Sequence, residues 1–218
     1  MKKSSEPCET PSNHSESARQ PLNRFAMAAF VAAVGLLALA WPAEAKVVYT
    51  PVNATISGNG SIRIDLNHDT ITDFVILSAS QVAACGDREG LIGSTKITPK
   101  TGNGVLVSHL NFAELLASGI SIGSGADFYK AQAVVTQFFI CSSGTHTAKG
   151  YLGLEFQING QTHYGWAQVN IYASYSYLRH VMRTTLIDFA YETIPGQAIR
   201  TGQTSGAAEG LDSAKPED

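Results

Sequence analysis

Apolar and polar residues alternate with a period of two along most of this chain, as in strands with one buried face. Val47-Val48-Tyr49 and Ser61–Leu77 predict early strands, the second interrupted by an acidic loop. Gln132–Cys141 is β-branched and aromatic without Pro or Gly, which predicts a central strand. Arg183–Tyr191 predicts a last strand, ended by the turn Ile194-Pro195-Gly196. One stretch departs from this period. Leu110, Ala113, Leu116 and Ala117 recur at helical spacing, so Asn111–Ser118 is expected as one short helix with Gly119 at its C-terminal cap.

The clearest element is a hairpin over Tyr151–Tyr172, in which Asn159-Gly160 supplies the two left-handed residues of a type I′ turn. A two-residue turn there pairs Ile158 with Gln161, Phe156 with His163, Leu154 with Gly165 and Gly153 with Trp166. Leu152, Leu154, Phe156, Ile158, Ala167, Val169 and Ile171 then share one face. Glu155, Gln157, Thr162, Tyr164, Trp166, Gln168 and Asn170 share the other. An apolar face and a polar-aromatic face predict a sheet with one solvated side. The expected fold is therefore mainly β, an antiparallel β-sandwich or jelly-roll-like single domain over residues 46–203 with one short helix.

The ends of the chain differ from this domain. Residues 1–24 are polar, Phe25–Ala40 is apolar, and Ala43-Glu44-Ala45 offers the small-x-small site of signal peptidase. The apolar run falls short of the ~20 residues of a comfortable bilayer span. Residues 1–45 are thus expected to be a signal peptide cleaved after Ala45; contact with a membrane is expected only if the segment stays uncleaved. Residues 204–218 are Gly, Ser, Ala and Glu-rich and are expected to form a disordered tail.

Composition narrows the function classes. A hydrophobic content of 44%, a charged content of 15% and a net charge of −3 describe a globular chain with no basic field to attract nucleic acid. Of three cysteines, Cys8 falls in the leader, leaving Cys85 and Cys141. In an oxidising compartment that pair is most simply a disulfide, two buried thiols being the alternative.

The strongest chemical signal is Asp65-Leu66-Asn67-His68-Asp69-Thr70-Ile71-Thr72-Asp73. Asp65, Asn67, Asp69 and Asp73 stand at positions 1, 3, 5 and 9 of a loop, with the Ile71 carbonyl at position 7. Such a set suits Ca²⁺, a hard cation that takes six to eight oxygens. Between strand-like Ser61–Asp65 and Asp73–Leu77, the loop belongs at a hairpin tip. Thr70 replaces the glycine of an EF-hand, and Ile76 stands where its bidentate Glu would be, so this is no EF-hand. The pattern resembles the D-x-[DN]-x-D-x-x-x-D loops of dockerins and FG-GAP hairpins. The alternative is an Asx-rich turn satisfied by its own amides.

Other patterns are weaker. Gly119-Ile120-Ser121-Ile122-Gly123 matches G-x-S-x-G but lacks the strand before and helix after that a nucleophile elbow needs. The histidines show no zinc-site spacing, and Gly102-Asn103-Gly104 opens no βαβ unit. Glu155, Tyr164, Trp166 and Gln168 form a candidate ligand face, on which aromatic rings flanked by amides would suit a sugar. Packing against neighbouring strands is the competing use of those rings.

Tyr151–Phe156, His163-Tyr164-Gly165-Trp166-Ala167, Ala190–Gly196, Ala198-Ile199 and Gly202-Gln203 together resemble a group of secreted bacterial proteins, many with a PEP-CTERM sorting signal. The resemblance spans roughly residues 46–203. No Pro-Glu-Pro motif follows Gln203, so release from the cell and surface retention are both compatible with it. It implies an exported bacterial protein, secreted or at the cell surface, and no particular reaction. The expected function is non-catalytic, with structural Ca²⁺ and an extracellular glycan or matrix component as partner. The rival is a secreted polysaccharide hydrolase, which needs two carboxylates about 5–10 Å apart, with Glu155, Asp127 and Asp188 as candidates.

Overall fold

The computed structural model describes residues 46–206. The expected signal segment, residues 1–45, and the expected tail from residue 207 onward lie outside the described residues; Thr204, Ser205 and Gly206 are the last described residues. The described chain is all β. Its strands are β1 (Val47–Ser57), β2 (Gly60–Ile64), β3 (Phe74–Cys85), β4 (Arg88–Pro99), β5 (Gly104–His109), β6 (Phe112–Ala113) and β7 (Leu115–Leu116). They continue as β8 (Ser121–Ile122), β9 (Phe128–Tyr129), β10 (Ala133–Ile140), β11 (Gly144–Ile158), β12 (Gln161–Ser176), β13 (Arg179–Glu192) and β14 (Ile199–Arg200).

Twelve strands form one sheet, ten of them along the hydrogen-bonded path β1-β13-β12-β11-β5-β6-β10-β4-β3-β2, with β7 added to β11 and β9 to β5. The path begins and ends on strands that are consecutive in sequence. Gly58 N–H donates to the Met182 carbonyl at 2.8 Å, and Ser80 N–H to Asn59 Oδ1 at 2.7 Å, so the β1–β2 turn draws the two edges together. The sheet nearly closes on itself, which leaves few free edge groups. Its two halves face each other. Between them, the buried Thr184 hydroxyl on β13 donates to Ser78 Oγ on β3 at 3.2 Å and pairs with the Thr95 hydroxyl on β4 at 3.0 Å. Three hydroxyls that would be stranded in an apolar interior thus satisfy one another. The antiparallel character has one exception: β6 runs parallel to β10 at Val134–Phe112.

The hairpin follows the sequence expectation residue for residue. Ile158 pairs with Gln161, Phe156 with His163, Leu154 with Gly165 and Gly153 with Trp166. Asn159 and Gly160 take φ values of 51° and 76°, as a type I′ turn demands. Leu152, Leu154, Phe156, Ala167, Val169 and Ile171 enter the main core, and Ile158 packs at its edge.

Two expectations are corrected. No helix forms at Asn111–Ser118; the segment is split between β6 and β7, and Leu110 is 81% exposed with φ of 50°. Its backbone groups serve strands instead: Val134 N–H donates to the Asn111 carbonyl, and Glu114 N–H to that of Leu106. A short helical pattern yields to such pairing, since propensity over two turns is weak. Gly119, with φ of 85°, makes the turn between β7 and β8 rather than a helix cap. The second correction concerns the outer face of β11–β13. Its centre is not solvated but covered by the β8–β14 ribbon, forming a second core of Val47, Leu106, Leu116, Ile122, Tyr164, Trp166, Ala190 and Ile199.

Cys85 and Cys141 are bonded, with Cα atoms 5.5 Å apart. The bridge joins the ends of β3 and β10, which lie on opposite sides of β4. Gly90 permits this, because a Cβ there would lie 2.6 Å from the Ile140 carbonyl oxygen and 3.1 Å from Cys141 Cα. The Cys141→Ser variant is expected to lose about 2–5 kcal/mol of stability, read as a lower midpoint in urea at unchanged slope.

Candidate functional site

The acidic loop occupies the tip of the β2–β3 hairpin, beyond the last pair Ile64–Phe74. Leu66 is fully buried and anchors the loop's entry, leaving its neighbours Asp65 and Asn67 half-buried at the surface. Asp65 accepts from Asp69 N–H at 3.2 Å through Oδ1 and from Thr70 N–H at 2.8 Å through Oδ2. Asp69 accepts from Ile71 N–H at 2.8 Å and from the Asn67 amide at 3.0 Å. His68 and Thr70 are left-handed, with φ of 59° and 73°. For β-branched Thr70 that conformation is strained by about 1–3 kcal/mol, at the position where an EF-hand loop carries glycine. His68 Nε2 meets Thr50 Oγ1 at 2.8 Å and ties the tip to β1.

The four side chains do not play equal parts. Asp73 is buried at 7% exposure; Oδ2 accepts from Leu66 N–H at 2.8 Å and Oδ1 from Asn103 Nδ2 at 3.3 Å. Asn103 also donates to the Asp73 carbonyl at 3.2 Å, and its own oxygen accepts from Gln157 N–H at 3.1 Å. One buried amide therefore fastens the acidic loop to β11. Asn103 was not singled out by sequence; its only signal is an Asn between two glycines. Burial raises the Asp73 pKa above the ordinary carboxylate range, the donors from Leu66 and Asn103 oppose this, and the charges of Asp69 and Asp65 add to it. Without a neutralising ion, ionisation of Asp73 works against folding: its contribution is fullest at acid pH and is lost as pH rises through the raised pKa.

The Oδ1 atom of Asn67 is occluded from solvent and accepts no hydrogen bond among the described residues. An orphaned acceptor beside two surface carboxylates lacks a positive partner. Against this, no three His, Cys, Asp or Glu side chains among the described residues are gathered as a ready ligand group. The loop is ordered by its own amides, and Ile71 lies on its rim with a side chain 66% exposed.

The candidate ligand face is closed. Tyr164 and Trp166 are 3% and 1% exposed, beneath Ile122 and Ile199. Tyr151 meets Trp166 edge-on at 5.2 Å, and Trp166 Nε1–H donates to the Gln203 carbonyl at 3.2 Å. Gly202, at φ of 79°, makes the turn that brings this carbonyl in, with Ser118 Oγ only 2.9 Å from where a Cβ would be. Gln168 is half-buried, and Glu155 pairs with Lys130. The rings that suggested a sugar platform are packed, as aromatic pairs on strands commonly are.

Two of the candidate acids, Glu155 and Asp188, are also apart. Glu155 pairs with Tyr164, and Asp188 with Gln168, four residues along β12 and on its opposite side. Strand geometry puts their Cα atoms roughly 16 Å apart. Asp188 accepts from the Tyr49 hydroxyl at 3.0 Å, while exposed Asp127 offers its carbonyl to Val107 N–H. No family model, curated protein or solved structure matches this chain.

The Asp73→Ala variant removes the acceptor for Leu66 N–H and for Asn103. It is expected to destabilise the protein by about 1–3 kcal/mol in EDTA as well as in Ca²⁺, measured by urea unfolding.

Proposed function

We propose that this chain is an exported, non-catalytic extracellular or cell-surface protein whose 65–73 loop holds one structural Ca²⁺. The observation that carries the metal reading is the occluded, unpartnered Asn67 Oδ1 beside Asp65 and Asp69. In this reading Asp65, Asn67 and Asp69 supply side-chain oxygens and Ile71 its carbonyl. Asp73 closes the set from beneath with lone pairs not used by Leu66 and Asn103, since a carboxylate has about four acceptor sites. A cation there relieves the mutual repulsion of three carboxylates and completes the Asn67 amide.

The Cys85–Cys141 disulfide supports an oxidising compartment, and the apolar leader and the resemblance to secreted bacterial proteins support export. A glycan or matrix component remains the proposed class of partner, although not through Tyr164 and Trp166, which are covered. The hydrolase alternative is weakened because Glu155 and Asp188 stand on strands either side of β12 with Cα atoms roughly 16 Å apart, and Glu155 is held by Lys130. An open depression lined by Ser57, Asn59, Ser80, Arg179, His180 and Arg183 also carries no carboxylate.

Calcium bound only by the folded state raises stability by mass action. With an affinity on the order of 10⁻⁴–10⁻³ M, several millimolar Ca²⁺ is expected to raise Tm by a few degrees over EDTA. Asp69→Ala is expected to abolish that rise while folding normally in EDTA. Identical melting of the parent protein in both solutions would leave the loop as a turn.

A further inference from the structure

Glu192 ends β13 with a side chain only 1% exposed. A carboxylate at that depth needs donors or a cation. Its Oε1 accepts from Ile194 N–H at 3.0 Å and from the backbone nitrogen of Lys46 at 3.2 Å. Among the described residues the one ion pair joins Lys130 to Glu155, so no Lys, Arg or His side chain neutralises Glu192. Lys46 is the residue that follows the Ala43-Glu44-Ala45 cleavage site. Its place is fixed by the sheet: Val47 pairs with Glu192, and Thr193 N–H donates to the Lys46 carbonyl at 3.0 Å. His163 holds the other side, its Nδ1 donating to the Glu192 carbonyl at 2.9 Å.

We infer that Glu192 is the receiving site for the amino terminus created by leader removal, so that maturation itself completes a partly buried ion pair. The inference rests on the export reading above. Hydrolysis of the Ala45–Lys46 bond by a signal-type endopeptidase consumes one water. It leaves a carboxylate on Ala45 and an amine on Lys46, which takes up a proton at neutral pH. A neutral amide with one N–H becomes an ammonium with three, at the atom already within hydrogen-bond reach of Oε1. Charge-assisted hydrogen bonds are about twice as strong as neutral ones, and the buried Glu192 end limits the screening of this partly buried one. The precursor folds with an under-compensated carboxylate, and the mature chain folds with a paired one.

The test uses the full chain with residues 41–45 replaced by a sequence that a specific endopeptidase cuts immediately before Lys46. Melting is compared before and after cleavage. In the parent, cutting is expected to raise Tm by roughly 3–10 °C, given the strength of charged hydrogen bonds and a domain of this size. The rise should vanish in Glu192→Gln. It should also vanish in a second version whose cleavage leaves one extra glycine before Lys46, which keeps the test decisive if Glu192→Gln fails to fold. No rise in the parent, or equal rises in all versions, overturns the role of Glu192. Amino-terminal sequencing of the exported chain with its natural leader separates the two layers. Lys46 as first residue supports processing at this site; a different first residue, or an uncut chain, overturns that reading while the melting comparison still reports on Glu192.

Discussion

The β11–β12 hairpin carries large rings or aliphatic side chains on both faces, and water is a poor environment for either. Leu152, Leu154, Phe156, Val169 and Ile171 press into the main core while Tyr164 and Trp166 project from the other side. Fully burying each such side chain is worth about 1.5–3 kcal/mol. The nearly closed sheet answers the first face by bringing β3, β4 and β10 opposite. The second face is answered by chain from elsewhere: Leu116 and Ile122 from the middle segment, and Ile199 from beyond β13. Thr201 joins these covers. Its hydroxyl donates to the Ala117 carbonyl at 2.7 Å and accepts from Ile120 N–H at 2.9 Å, and Arg200 reaches the Gly119 carbonyl.

This arrangement gives the residues from Ala190 to Gln203 physical roles. Ala190 lies in the second core, and Tyr191 packs edge-on against Phe156 at 5.3 Å. Glu192 orders the turn that sends the chain back, and Gly196 N–H donates to the Thr162 carbonyl at 2.8 Å. Gly202 and Gln203 finish the cover over Trp166. The run from Ala190 to Gln203 forms a strap and its fastening points. The acidic loop stands apart from that strap but not from the hairpin, since Asn103 joins Asp73 to Gln157.

The parts legible in sequence were those set by local rules. A two-residue Asn-Gly turn leaves one register, so every pair from Ile158 to Gly153 followed from counting. The disulfide followed from parity, and the hairpin position of the acidic loop from its flanking strands. The rest depended on partners distant in the chain. Tyr and Trp are equally at home in a wet face and a packed one, and their covers Ile122 and Ile199 lie far from them in sequence. The Leu110–Ala117 spacing fitted a helix, yet its backbone was claimed by β5, β10 and β11. The equal weight given to Asp73 among the loop oxygens overlooked Asn103, whose approach arises only when β5 meets β11.

Hydrogen exchange of the Trp166 indole N–H, followed by NMR with the Trp41 signal removed by substitution, tests the sealed second face most directly. The indole is expected to be protected, bonded to the Gln203 carbonyl and opening only with free energies near those of the β11–β12 backbone amides. Exchange at the rate of a free indole in a protein whose hairpin amides stay protected would contradict it, and would restore the open aromatic platform that the sequence alone suggested.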